Sequence, residues 1–132
     1  MSDDLLERLL TVQTPEEETQ LLLESLPGAL SAAAWAAAIP HWFTPKVLAA
    51  LLPDLAAQAI ELYAQLQGMP FVEAYQGRGH NVHELSRKTI LSLWWNTRRD
   101  EYRQLSERAR AYFAGQEDDD NARIEAAYHS LV

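Results

Sequence analysis

Four histidines, His41, His80, His83 and His129, are the side chains best suited to acid–base or metal chemistry in this chain. His80 and His83 form a His-x-x-His pair. Zinc needs three or four converging ligands, and there is no cysteine and no second close histidine pair, so no metal site is expected. His83-Glu84 lacks the second histidine of a His-Glu-x-x-His zinc motif, and the chain has no Gly-x-Ser-x-Gly elbow. Glu16 to Glu18 fall in a first helical turn, where the helix dipole stabilises carboxylates, so they read as caps and not as an acid–base pair. No catalytic residue and no enzyme activity are expected.

Binding chemistry has better candidates. Arg98, Arg99, Arg103, Arg108 and Arg110 cluster late in the chain, with Asp100, Glu101 and Glu107 between them. Mixed signs three and four residues apart usually make a solvated face with weak ion pairs; they also allow docking onto acidic surface, within the molecule or between copies. The chain carries 4 tryptophans. Trp94 and Trp95 are neighbours on a predicted helix and point about 100° apart, so one can enter the core while the other meets a rim or a partner. Trp42 with Phe43 is expected to staple the start of the following helix. Trp42, Trp94, Trp95, Arg99 and Arg103 are therefore the interaction candidates, beside the alternative that all four indoles pack internally.

Charge narrows the partners. The 132 residues carry 19 acids and 11 bases, a formal net charge of −8. Residues 1–77 hold 10 acids and 2 bases, whereas residues 78–132 hold 9 of each. Such a surface repels nucleic acid and anionic lipid unless a local basic patch overrules it. Hydrophobic residues make up 48%, enough for a real core. The start is acidic, unlike a signal peptide, and the apolar stretch 29–40 is too short for a bilayer, so no membrane partner is expected. The absence of cysteine excludes disulfides and fits a reducing compartment, the cytoplasm.

The elements that must position these residues are mostly helices. Asp3 to Leu10 reads as a short helix. Thr14-Pro15-Glu16-Glu17 is a capping box for one running to about Leu26. Ser31 is placed as the cap of an alanine-rich helix through Ile39, Thr44-Pro45 as the start of one through Leu52, and Asp54 as the cap of the next, which Gly68 ends. Around 70–82, β-formers flank Gly77-Arg78-Gly79 as one hairpin. Helices follow over Glu84 to about Trp95 and Asp100 to Ala114. Asn121 is placed as the cap of a last helix with Ile124, Tyr128 and Leu131 on one side. The chain then stops in mid-pattern, as a piece of a longer protein would.

Three helices, a hairpin and more helix is the order of a winged helix with a helical extension. The expected fold is mainly α: an N-terminal helical segment over 1–28, a winged-helix-like domain over 29–97 and a helical arm over 98–132, forming one compact unit. Winged helices commonly read DNA through a recognition helix. Here that helix, after Asp54, offers Asp54 and Glu61 and no cation, and the wing offers only Arg78. DNA binding, as a transcriptional regulator, is therefore the alternative and not the leading reading.

The stretch Met69-Pro-Phe-Val, with Gly77-Arg-Gly-His-Asn-Val-His-Glu-Leu-Ser-Arg87, resembles the winged-helix part of the STAND signalling ATPases, the Apaf-type and plant-resistance-type switches and their bacterial relatives. The family's hairpin is followed by a Met-His-Asp-Leu type motif, often with an arginine two residues after the leucine. Val82-His83-Glu84-Leu85 and Arg87 match it with Val for Met and Glu for Asp. Ala38 to Phe43 resembles the family's approach to the winged helix, and Tyr102 to Phe113 its helical arm. The resemblance implies that His83 contacts the β-phosphate of ADP, with Arg87 nearby; a helix N-terminus favours an anion there. Glu84 is expected to cap that helix or orient the ring. The chain has no Gly-x-x-x-x-Gly-Lys-Ser/Thr loop, so no cofactor is expected, and ADP or ATP only if a larger protein supplies a nucleotide-binding domain. The resemblance implies a non-catalytic regulatory and protein–protein interaction module, an adaptor or a fragment of a signalling protein.

Overall fold

A computed structural model of the chain describes residues 14–116 and 119–131. The helix expected over Asp3 to Leu10 lies outside the described residues. α1 spans Pro15–Ser25, and Thr14 caps it by accepting the Glu17 amide at 3.1 Å. α2 spans Gly28–Ala37. Ser31 does not cap it: the helix begins three residues earlier, and the Ser31 hydroxyl donates to the Leu23 carbonyl at 2.9 Å. The hydroxyl thus ties α2 to the end of α1, sharing the Leu23 carbonyl with the Leu26 amide. α3 spans Pro45–Leu51 under the expected Thr44 cap.

Pro53–Gln58 is a 3-10 turn without a side-chain cap, and α4 follows over Ala59–Leu66. Asp54 therefore lies in the first turn of the 3-10 segment and starts no α-helix. β1, Val72–Tyr75, pairs antiparallel with β2, Gly79–Val82. α5 spans Glu84–Thr97, α6 Arg99–Ala114 and α7 Asp120–His129. The cap of α7 is Asp119, which accepts the Asn121 and Ala122 amides, and not Asn121. A carboxylate two residues upstream reaches both orphan amides, and Asn121 is already inside the helix.

Among the described residues the fold is mainly α with a single two-stranded hairpin. Phe43, just before α3, forms an isolated bridge with His80 of β2, with N···O distances of 2.7 and 3.1 Å. The hairpin so gains a third partner from the α2–α3 connection, which two strands alone need for stability. Gly79 makes this approach possible. Its φ is +97°, and a Cβ there would stand 2.6 Å from the Phe43 carbonyl oxygen.

One apolar core joins every helix. Leu23, Ala33, Ala37, Ile39, Phe43, Leu48, Leu51, Leu66, Ile90, Trp94 and Phe113 are buried in it. Alanines on α2 let neighbouring helices approach closely, and Trp94 fills the space beside them. Its ring N–H, an expensive group to bury alone, donates to the Trp35 carbonyl at 2.9 Å. α6 and α7 pack on each other as a helical hairpin beside this core. Among the described residues no helix is long and apolar enough to cross a membrane.

Candidate functional site

The two ends of α5 carry the chain's functional candidates. At the N-terminal end, β1, β2, α5 and α7 border a cleft of about 580 Å³ whose walls include His41, Glu73, Arg78, Arg87, Glu125 and Tyr128. His83 occupies the cap position of α5, half-exposed, with Nδ1 3.1 Å from a carboxylate oxygen of Glu73. Glu84 does not orient it: that carboxylate points along α5 to Lys88, 3.8 Å away. Glu73 faces His83 because β1 runs beside the start of α5, held there by the His83 amide on the Phe71 carbonyl at 2.9 Å.

Arg87, one turn further, is buried at 5% exposure. Its Nε donates to the Pro40 carbonyl at 3.3 Å; its Nη2 donates to the Ile39 carbonyl at 2.8 Å and the Tyr128 hydroxyl at 3.2 Å. The guanidinium also lies over the Tyr128 ring, 5.5 Å from its centroid. His83 and Arg87 thus have different surroundings, one facing the hairpin and one joining the end of α2 to α7.

The groups beside Arg87 are not evident from the sequence. Glu125 is buried on α7. It accepts the His41 amide at 2.9 Å, His41 Nδ1 at 2.8 Å and His129 Nε2 at 2.8 Å. A carboxylate only accepts, so both facing nitrogens carry the proton. His129 is buried, stacked on Phe113 at 11°, and its Nδ1 has no partner among the described residues. Burial alone would raise the Glu125 pKa, but the hydrogen bonds from His129 and His41 outweigh it and lower it from 4.5 to about 2. The inner face of α7 is therefore Ala122, Glu125, Ala126 and His129. Ile124 and Leu131, of the apolar side read from the sequence, are exposed. The legible signal was Glu-x-x-x-His with alanines beside the glutamate. Among the described residues no three His, Asp or Glu side chains are arranged to hold a metal ion.

At the wing, Arg78 pairs with Asp119 and lies 5.1 Å from the Trp42 ring centroid. That bond lowers the Asp119 pKa. One carboxylate thereby caps α7 and holds the wing. Trp42 is buried, edge-on to Phe113 at 5.1 Å. His80 bonds through Nδ1 to the Tyr63 hydroxyl, which ties the hairpin to α4.

The C-terminal end of α5 differs. Trp94 is 1% exposed and Trp95 38% exposed. The Arg99 guanidinium lies 4.1 Å, and that of Arg103 5.2 Å, from the Trp95 ring centroid. Of the five interaction candidates, Trp95, Arg99 and Arg103 come together at the surface. Trp42 and Trp94 do not join them, because their indoles fill the core. The other arginines of this stretch have partners: Arg98 with Glu101 at 2.8 Å, Arg110 with Glu107 at 2.6 Å, and Arg108 with the Leu51 carbonyl at 2.9 Å.

Comparison with protein-family models, curated proteins and solved structures found no match.

Proposed function

We propose that this chain is a non-catalytic regulatory and protein–protein interaction module, an adaptor or part of a larger cytoplasmic signalling protein, resembling the winged-helix region of a STAND ATPase. The observation that carries it is the state of the two elements a winged helix would lay on DNA. α4 presents Ile60, Glu61 and Gln65 to solvent, with no lysine or arginine. The wing's cation, Arg78, is taken by Asp119. Without free cations on either element there is no counterion release to drive phosphate binding. A winged helix of this surface suits packing against protein.

Titration with duplex DNA at low salt tests this. No binding in the micromolar range is expected. Micromolar binding with a steep salt slope would establish the alternative, a DNA-binding regulator. The part the resemblance gives to His83 needs a nucleotide-binding domain on a larger protein. There the half-exposed ring at the start of α5 would exchange Glu73 for a phosphate. Replacing His83 by alanine in such a protein is expected to loosen ADP retention, and unchanged retention would remove that role.

A further inference from the structure

We infer that Trp95, Arg99 and Arg103 form a docking point for an acidic segment of a partner protein; this rests on the interaction-module reading and names its site and partner chemistry. The patch is built across the α5–α6 junction. Trp95 is the one large aromatic on the last turn of α5 that turns outward. Arg99 is fixed against it twice: its guanidinium covers the ring at 4.1 Å, and its Nε donates to the Trp95 carbonyl at 3.2 Å. Arg103, one turn along α6, approaches the same ring at 5.2 Å. Both arginines are exposed.

The charge around them is what selects the partner. Four residues along a helix separate the guanidinium carriers by about 6 Å. Two like charges lie against one indole, and the ring's negative quadrupole offsets only part of their repulsion. On α6, Glu101 is turned to Arg98 and Glu107 to Arg110, and among the described residues Asp100 forms no ion pair with either arginine. Among the described residues neither Arg99 nor Arg103 has an ion-pair partner, whereas Arg78, Arg98, Arg110, Arg123 and Lys88 each have one. The patch is therefore an unneutralised positive spot, held ready around an apolar plate, on a chain of net charge −8.

A partner with two carboxylates about 6 Å apart, as at i and i+4 on a helix, can meet both guanidiniums in charge-assisted pairs. An apolar side chain between them would cover Trp95. A nucleic-acid strand fits less well. Its charge extends along the whole chain and meets the acidic remainder of the surface, whereas a short acidic segment is screened from it beyond about 8 Å at physiological salt.

The test uses the whole chain and three probes: a fluorescein-labelled helical peptide with glutamates at i and i+4 around a leucine, the same peptide with glutamines, and an oligothymidine single strand. Fluorescence anisotropy is expected to show binding of the glutamate peptide. The glutamine peptide, and the Arg99→Gln/Arg103→Gln double variant, are each expected to bind at least about tenfold more weakly. Both substitutions are on exposed side chains, and circular dichroism checks that the variant folds. No binding, or equal binding by the double variant, overturns the docking point. Tighter binding of oligothymidine at the same residues overturns the choice of partner. Neither result touches the broader reading, which fails only if duplex DNA binds through α4 and the wing.

Discussion

Arg87 and Arg99 stand at opposite ends of α5 and meet opposite fates. Arg87 is buried, and its donors end on two carbonyls and a phenol. Arg99 lies open on an indole. The difference is set by the neighbouring backbone. α2 ends at Ala37, so the Ile39 and Pro40 carbonyls lack helical partners and face a side chain that can donate twice in a plane. At the other end Arg98 breaks the helix, and Arg99 spends one donor on the Trp95 carbonyl while the rest of its guanidinium stays open on the ring. The same residue type closes the molecule at one end and leaves it able to bind at the other.

Breaking the closed end is expected to cost most. Arg87→Ala strands the buried Ile39 and Pro40 carbonyls and removes a donor from the Tyr128 hydroxyl. A loss of about 3 kcal/mol is expected, read from urea unfolding. Arg87→Lys should recover only part of it, because an ammonium cannot reproduce the planar fork.

Glu125 sharpens the same contrast through pH. Its folded-state pKa, about 2, lies below the ordinary 4.5, so its contribution is complete above pH 4.5 and disappears as the pH falls from 4.5 toward 2. A tenfold change in a proton-binding constant is worth about 1.4 kcal/mol, which makes that contribution on the order of 3 kcal/mol. Glu125→Gln is expected to unfold at lower denaturant near pH 7 and to flatten the stability profile between pH 5 and 3. A parallel profile in the variant would place the acid sensitivity elsewhere.

The open end is expected to respond weakly in stability. Trp95→Ala should cost about 1 kcal/mol, from lost contact with Tyr102 and the two arginines, visible as a small drop in Tm. Arg99→Gln/Arg103→Gln should change stability by no more than about 0.5 kcal/mol, measured in the same urea series. A large loss there would mean that the patch holds the α5–α6 junction together and would erase the contrast.

Much of the fold is legible in the sequence because it rests on local chemistry. The threonine caps at Thr14 and Thr44, the glycine-turn hairpin and the inward and outward tryptophans of α5 all follow from neighbours in sequence. Ser31, Asp54 and Asn121 mislead for a shared reason. Each is a good cap by type, but tertiary packing or a nearer carboxylate decides where the helix begins. The buried face of α7 is hidden because Ile124, Tyr128 and Leu131 are the more apolar stripe. Periodicity ranks residues by hydropathy, whereas here a carboxylate and a histidine enter the core because His41, 84 residues distant from Glu125, supplies matching donors. Such complementarity between remote positions leaves no periodic trace. The Trp95 patch is half legible: residue type points to its members, but only the structure separates them from Trp42 and Trp94.

The unequal burial of the indoles has an optical consequence. Trp35, Trp42 and Trp94 are shielded from solvent, and Trp95 stands beside two cations. Iodide is drawn to that charge and caesium is repelled by it. Iodide should therefore extinguish the Trp95 share of the emission while caesium leaves the spectrum nearly intact, and the Arg99→Gln/Arg103→Gln variant should bring the two quenchers together. The protein thus carries its own dye at the place where a partner would arrive.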